Sequence, residues 1–421
     1  MKFDIRKVKK ILQCAEEVPF YRDFYRSKGI NTNKIFSYDD FCMLPILDKM
    51  TYRNNLSKFI PDKFADKIDG NILENGTFFE IDNMLSAMNC NMVITSGSTG
   101  MPLKVIHSDA DDHRAYSVIN NFRKKYLGKE LGKKYLWVLP MNDKTKQYFY
   151  DENVTYINKK YGIDYFLANY SEKNFDKLYQ LLMEEKPHWI SCSPSMIFEF
   201  SNYLQSINEE YHFSYIELHS EPLYDWQYIK IKECFGGVVK SIYSSNEVNF
   251  IGAMCPEGCY HIFTDNVFVE LLDTDVSNTQ KKVVVTSLSY YDFPMIRYEL
   301  GDLAKEQKCC DNINSINLCK FRDADMILSI SGELCEPYIV FDSIVFLCDK
   351  YKVCINKYTI IQRKVDLFEY YFDEGISIGK DELKMFLQHF LTAALGYCIN
   401  VVIKSLNINI FNKYRRFICK L

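Results

Sequence analysis

Proline and glycine are scarce in this chain, at 11 and 17 among 421 residues. That scarcity excludes collagen-like, linker-like and low-complexity architectures, which depend on those residues. Long hydrophobic runs are missing too. The most apolar later stretch, Tyr338 to Cys348, is far shorter than a membrane span and contains Asp342. Neither sign of charge dominates: a formal net charge of −4 and a pI near 6.1 argue against nucleic acid or an anionic membrane surface as the main partner. The basic amino terminus, MKFDIRKVKK, is not followed by an apolar segment, so no secretory signal is expected and the protein is expected in the cytoplasm. A disulfide framework is absent as well. Fifteen cysteines, an odd number scattered through a large chain, read as reduced thiols, most of them small core hydrophobes.

What is present is a packed, globular composition, 48% hydrophobic and 15% aromatic, long enough for two or three domains. Its most distinctive stretch is VITSGSTGMPLKV, residues 93–105. A strand-like lead-in, Val93 and Ile94, runs into Thr95, Ser96, Gly97, Ser98, Thr99 and Gly100, all hydroxyl-bearing or glycine, and Pro102 and Lys104 follow. Glycine lets the backbone approach an anion closely, hydroxyls and unpaired N–H groups can donate to phosphate oxygens, and Lys104 adds a full positive charge. No Gly-Lys-Ser/Thr follows and the dinucleotide fingerprint does not fit, so the stretch by itself is either a nucleotide loop of another kind or a plain turn.

Along the chain, residues 5–28 carry helically spaced apolar positions (Val8, Ile11, Leu12, Ala15) interrupted at Pro19. Residues 41–56 read as a loop and short helix, and residues 57–90 as irregular, with DKIDGNILENG an ordinary loop. Helices are expected over 110–126, 174–185 and 194–206, and strands over 135–141 and 189–192. Strands alternating with helices indicate an α/β sheet protein. From Val238 to Leu288 the character turns to strands. The last hundred residues read as a separate α+β unit: a strand pair over 358–372, then a helix with Leu383, Phe386, Leu387, Phe390, Leu391 and Ala394 on one face, a strand NVVIKSL and a basic tail. The expected architecture is a large multi-subdomain amino-terminal α/β domain, residues 1–325, plus a small mobile α+β domain, residues 326–421.

Several stretches taken in order resemble the adenylate-forming enzyme superfamily, most closely its phenylacetate-CoA ligase and CapK-like branch. They are VPFYRDFY (18–25), LPILDKMTYRNN (44–55), TSGSTGMPLKV (95–105), SIYSSNEVNFIGAMCPEGCYHI (241–262), FPMIRYELGDLA (293–304), FRDADMILSISGELCEP (321–337) and NKYRRFICK (412–420). The resemblance spans almost the whole chain and implies activation of a carboxylic acid by ATP, then transfer of the acyl group from AMP to a thiol or amine. It implies that Thr95 to Gly100 with Lys104 hold the β- and γ-phosphates, that Glu247 matches the acidic residue associated with Mg²⁺, and that Tyr243 lies against the adenine. It further implies that Asp302 accepts from both ribose hydroxyls, that Arg322 lies near the ribose and hinge, and that Lys413 is the mobile catalytic lysine. Taken one at a time these are ordinary residues: a lone Glu is usually solvated and an Asp after glycine usually caps a turn. Three glycines of the pattern are replaced here, by Ser244, Phe321 and Asn412.

The resemblance also implies an acid pocket near Trp137, Pro140, Ser193 and the stretch His219 to Pro222, including Glu221, with an aryl or arylalkyl acid permitted by the many aromatics. The acceptor stays open among coenzyme A, a carrier-protein pantetheine and an amine, as do homodimerisation and a catalytically degenerate relative that only binds nucleotide. Cys255, His261, Cys309 and Cys310 match a structural zinc set found in some members of that branch, since thiolate and imidazole suit Zn²⁺. Adjacency of Cys309 and Cys310 makes joint ligation harder, and buried free thiols beside a surface histidine are the alternative.

Overall fold

A computed structural model describes residues 3–94, 103–141, 156–274, 277–305, 314–322, 325–335, 337–373, 376–406 and 414–421. The chain divides into two compact units. The first comprises Met1–Lys133, Lys240–Asp273 and Gln280–Leu318; the second comprises Lys134–Val239, Thr274–Thr279 and Cys319–Leu421.

In the first unit, helix Ile5–Ala15 buries Val8, Ile11, Leu12 and Ala15, and the Asp4 side chain caps it by accepting from the Arg6 N–H. Pro19 then opens helix Pro19–Ser27 at the position where its missing N–H costs nothing. Residues 57–90 depart from expectation. They form a run of short helices, Leu56–Phe59 (3-10), Asp62–Ala65, Gly70–Asn75 and Phe78–Ser86. Asp69 caps the third through the N–H groups of Asn71 and Ile72, and Thr77 with Glu80 forms a capping box on the fourth. Helices of four to nine residues bury too few side chains, here Leu56, Phe59, Leu73, Ile81 and Leu85 among the described residues, to produce a readable period.

Strand Cys90–Ile94 pairs antiparallel with strand Lys104–Ser108, Ile94 opposite Lys104, so the glycine-rich stretch joins two strands of a hairpin. Helix Asp109–Leu127 follows, its Ser108 cap accepting from the Asp111 N–H. Seven strands of a large sheet belong mainly to this unit. Their order is Val267–Thr274, Ser277–Ser287, Tyr298–Lys305, Ser315–Arg322, Tyr260–Ile262, Asn249–Met254 and Val238–Ser245. Deep in this unit Arg297 forms a two-pronged pair with Glu270, Nε to Oε2 at 3.1 Å and Nη2 to Oε1 at 3.0 Å. Its remaining nitrogen donates to the carbonyls of Cys42 and Leu44. Both charged residues are buried, so each depends on the other.

The second unit holds four parallel strands in the order Tyr215–Leu218, Trp189–Cys192, Tyr135–Pro140 and Gly162–Leu167, edged by the antiparallel Tyr156–Lys159. Helices Glu172–Glu185, Pro194–Ser206 and Asp225–Phe235 alternate with them, as the sequence pattern requires of crossover connections. The carboxy-terminal segment of this unit has a core of its own. Strands Asn400–Ser405, Leu367–Phe372, Tyr358–Lys364 and Phe417–Cys419 lie side by side in that order, and helices Tyr338–Tyr351 and Lys380–Leu395 pack on them through Val340, Ile344, Leu347, Leu383, Leu387 and Leu391. Ala394, expected on the buried face, is exposed in the last turn before Gly396 ends the helix. No disulfide joins two described cysteines, and no helix among the described residues is long and apolar enough to cross a membrane.

Candidate functional site

Thr95, Ser96, Gly97, Ser98, Thr99 and Gly100, together with Lys413, Cys309 and Cys310, lie outside the described residues. The strands on both sides of the glycine-rich stretch are described, and they bring chemistry to its base. Asn246 Nδ2 donates to the Ile94 carbonyl at 3.2 Å, tying the last residue before the loop to the turn that carries Glu247. The Glu247 carboxylate is mostly buried and accepts from the Tyr298 hydroxyl at 3.2 Å. Burial and the nearby Glu247 charge push the Tyr298 phenol up, so it stays a donor. Tyr243, on strand Val238–Ser245, donates its hydroxyl to Asp302 Oδ2 at 2.8 Å. Asp302 sits on strand Tyr298–Lys305 just after Gly301, whose φ of +76° needs a residue without Cβ. Two residues far apart in sequence thus form one aromatic-and-carboxylate pair.

Lys104 is differently engaged. Its ammonium donates to the carbonyls of Leu73 at 2.9 Å and Glu74 at 3.0 Å, in the last turn of helix Gly70–Asn75. Such carbonyls lack partners within the helix and attract a cation. Burial pulls the Lys104 pKa down, with Glu74 acting in the opposite direction.

In the second unit, Ser191 stands near the carboxyl end of a parallel strand and His219 just past one, which is where open α/β sheets bind ligands, while Trp137 sits mid-strand beside Ser191. The register puts Asp164, Trp137, Ser191 and Glu217 side by side on one sheet face. His219 Nε2 lies 3.1 Å from Ser191 Oγ, and its ring centre is 6.4 Å from that of Trp137. Trp137 Nε1 and Asp164 Oδ1 are buried with no hydrogen-bond partner among the described residues. Pro140 ends its strand exposed. Ser193 caps helix Pro194–Ser206 by accepting from the Met196 N–H at 3.3 Å, and it also bonds the Tyr170 phenol, which burial and the Glu221 charge push up. Glu221 accepts from the Ser195 N–H at 2.6 Å and from the Tyr414 N–H at 2.8 Å. Arg322 ends strand Ser315–Arg322, and its N–H donates to Asp325 Oδ2 at 3.3 Å.

Cys255 and Cys259 are buried together, joined by the Cys255 N–H to the Cys259 carbonyl at 2.8 Å. His261 Nε2 is buried without a partner among the described residues. No three His, Cys, Asp or Glu side chains come together as a metal-binding group among the described residues, so this hairpin supplies at most part of the expected zinc set. Sequence reasoning missed Asn246, Tyr298 and Tyr170. Asn246 adjoins Glu247 and Tyr298 sits in the FPMIRYELGDLA stretch, so both were within view, but only the partner's position reveals the role.

No family model matches the sequence, and no curated protein matches it. Solved structures do. The chain is similar to 2-hydroxyisobutyryl-CoA ligase in its postadenylation state, with a TM-score of 0.65 and 16% identity over 98% of this chain and 87% of that one. It is similar to ATP-bound MatB from Rhodopseudomonas palustris (TM-score 0.51, 15% identity, 77% of this chain and 66% of that one). It is also similar to the amide bond synthetase McbA from Marinactinospora thermotolerans (TM-score 0.50, 15% identity, 76% and 66%). The fold is that of the adenylate-forming ligases. A chain with this ligase fold carries a mixed α/β body and a smaller α+β segment at its carboxyl end, as described above.

Proposed function

We propose that this chain is an AMP-forming ligase that activates a carboxylic acid, aryl or arylalkyl in class, and passes the acyl group to a thiol of coenzyme A or of a carrier-protein pantetheine. The observation that carries the reading is the Tyr243–Asp302 pair, because an aromatic face beside a two-oxygen acceptor suits a purine and the two hydroxyls of its ribose. The similarity to ligases of this fold supports it.

In the reaction, a carboxylate oxygen of the acid attacks the α-phosphorus, the bond to the bridging oxygen breaks, and pyrophosphate leaves. The thiolate then attacks the acyl carbon and AMP leaves. A carboxylate approaching a polyanion needs charge neutralisation and in-line positioning more than covalent help. The hydroxyls and backbone of Thr95 to Gly100 take the β- and γ-phosphates, Asn246 anchors that loop at Ile94, and Lys413 neutralises charge as the adenylate forms. Lys104 contributes to the phosphates only when it exchanges the Leu73 and Glu74 carbonyls for them. Arg322 lies near the ribose and the hinge between domains 1–325 and 326–421. Glu247 would hold Mg²⁺: its carboxylate has one described hydrogen bond and oxygen ligands suit that ion, which would screen the phosphate charge. Trp137, Ser193 and Pro140 line the acid, which enters at the carboxyl ends of the parallel strands.

The test is ATP–pyrophosphate exchange over a panel of aryl, arylalkyl, fatty and amino acids. Hydroxylated aryl acids belong in the panel, because a hydroxyl can donate to Asp164 Oδ1 and accept from Trp137 Nε1. Exchange with at least one acid is expected; none with any acid, and ATP binding equally weak in wild type and Lys104→Ala, would leave a protein that has kept only the fold. Mass spectrometry of the product separates thioester from amide. Zinc at Cys255, His261, Cys309 and Cys310 is part of the proposal, supported by the buried Cys255 thiol and the unpartnered His261 nitrogen. Elemental analysis of protein purified without chelator should then find about one zinc per chain, falling in Cys255→Ser; a metal-free wild type rules the site out.

A further inference from the structure

Glu221 follows His219 and Ser220 at the end of strand Tyr215–Leu218, and Ser220 has a φ of +77°. That unusual backbone turns the chain just before Glu221, whose two carboxylate oxygens serve two different segments. Oε1 accepts from the N–H of Ser195, the second residue of the 13-residue helix Pro194–Ser206. Oε2 accepts from the main-chain N–H of Tyr414. The helix terminus has its own cap, Ser193, which takes the Met196 N–H; the Ser195 N–H therefore goes to Glu221.

Tyr414 is fastened elsewhere as well. Its hydroxyl donates to the Tyr358 carbonyl and accepts from the Tyr358 N–H, both at 3.0 Å. Arg415 pairs with Asp325 at 2.7 Å, and the Arg416 guanidinium lies over the rings of Tyr224 and Tyr358 at 4.3 and 4.9 Å. The Tyr358 ties stay within residues 326–421 and travel with the tail in any movement of the carboxy-terminal domain. The contacts to Glu221, Tyr224 and Asp325 run to residues of the 1–325 domain and would not, and of these the Glu221 bond is the one that grips the main chain of Tyr414.

We propose that Glu221 is a positioning residue for adenylate formation: its carboxylate holds the main chain at Tyr414, the residue immediately after Lys413, and releases it for the second half-reaction. This rests on the ligase reading above. A carboxylate suits the task because it offers an acceptor to each N–H, and charge-assisted bonds of this kind are the strong ones. Release is tolerable for the same group. When the tail leaves, Glu221 keeps the Ser195 N–H and the positive end of the helix, so its charge is not stranded. A glutamine places a donor NH₂ where one of the two acceptor oxygens stands, so in this geometry one N–H group loses its acceptor.

The experiment compares wild type, Glu221→Gln and Glu221→Ala by amide hydrogen exchange and by the two half-reactions measured separately. The Tyr414 amide is expected to lose protection in both variants while strands Tyr358–Lys364 and Leu367–Phe372 keep theirs. Pyrophosphate exchange at saturating ATP and acid is expected to fall about tenfold to a hundredfold, the size of a lost bond to a charged group. Transfer to the thiol from a supplied acyl-adenylate is expected to fall much less. Unchanged Tyr414 protection overturns the proposal, as does an equal fall in both half-reactions, which a merely structural role would give. A loss confined to the KM for the acid also overturns it, since Glu221 would then be a wall of the acid pocket. A wild type without exchange on any acid defeats the ligase reading and the catalytic part of the proposal with it; hydrogen exchange still decides whether Glu221 holds Tyr414.

Discussion

Replacing Lys413 by alanine is expected to cut ATP–pyrophosphate exchange by about a hundredfold to a thousandfold, the scale seen when one preorganised charge-stabilising group is removed. ATP binding, read by calorimetry or fluorescence, is expected to change far less. The tail contains several cations, and two of them, Arg415 and Arg416, are already engaged. Arg415 is committed to Asp325, a buried carboxylate. Arg416 is committed to the Tyr224 and Tyr358 rings and to the Asn356 carbonyl. A cation already neutralised or stacked has little charge left to lend to a transition state, and moving it would cost its present partner. Lys413 stands one residue ahead of this fastened segment, next to the Tyr414 N–H that Glu221 holds. Exchange in Lys413→Ala equal to wild type would remove the lysine from the mechanism, and Arg416→Ala would then be the next substitution to measure.

Breaking the Arg297–Glu270 pair is expected to be the most destabilising single change in the first unit. Arg297→Met leaves a buried carboxylate without its partner and the carbonyls of Cys42 and Leu44 without the donors they now have. Stranding a buried charge in this way costs about 3–5 kcal/mol, readable as a lower midpoint in urea. The double variant Arg297→Met with Glu270→Leu should recover much of the loss, because the expensive element is the unpaired charge and not the missing attraction. The pH dependence has a definite sign. Burial already pushes the Glu270 carboxyl up, with Arg297 pulling it back. Without Arg297 the folded-state value rises further above the unfolded one, so folding favours the protonated form and stability falls as pH rises. The deficit of Arg297→Met against wild type is therefore larger at pH 8 than at pH 5. A deficit that is flat across that interval would mean that Glu270 finds another partner.

Much of the fold was readable before any coordinates. Helix Ile5–Ala15 follows from its apolar spacing and Pro19, and helix Pro194–Ser206 from Ser193 and Pro194 at its start. The strands Tyr135–Pro140 and Trp189–Cys192 follow from short apolar runs between helical patterns. Residues 57–90 were not readable, because the helices there are too short to show a long stripe: Gly70–Asn75 and Phe78–Ser86 rest on a cap and one or two buried side chains each, and Asp62–Ala65 buries none.

The site divides in the same way. From the sequence came the resemblance of short stretches, in order, to the adenylate-forming enzymes, which marks out the residues proposed here for acid activation: a glycine-and-hydroxyl stretch, Glu247, Asp302, Arg322 and Lys413. Such a resemblance is carried by short stretches of neighbouring residues, which the sequence displays directly. Only the tertiary structure decided what each side chain touches: that Tyr243 bonds Asp302, that Asn246 anchors Ile94, that the Lys104 ammonium sits on helix carbonyls, and that Glu221 reaches Tyr414. These contacts join residues from 30 positions apart, as Glu74 and Lys104 are, to 193 apart, as Glu221 and Tyr414 are. No periodicity or capping rule acts over such separations, because they arise from the way strands and helices pack and not from neighbours along the chain.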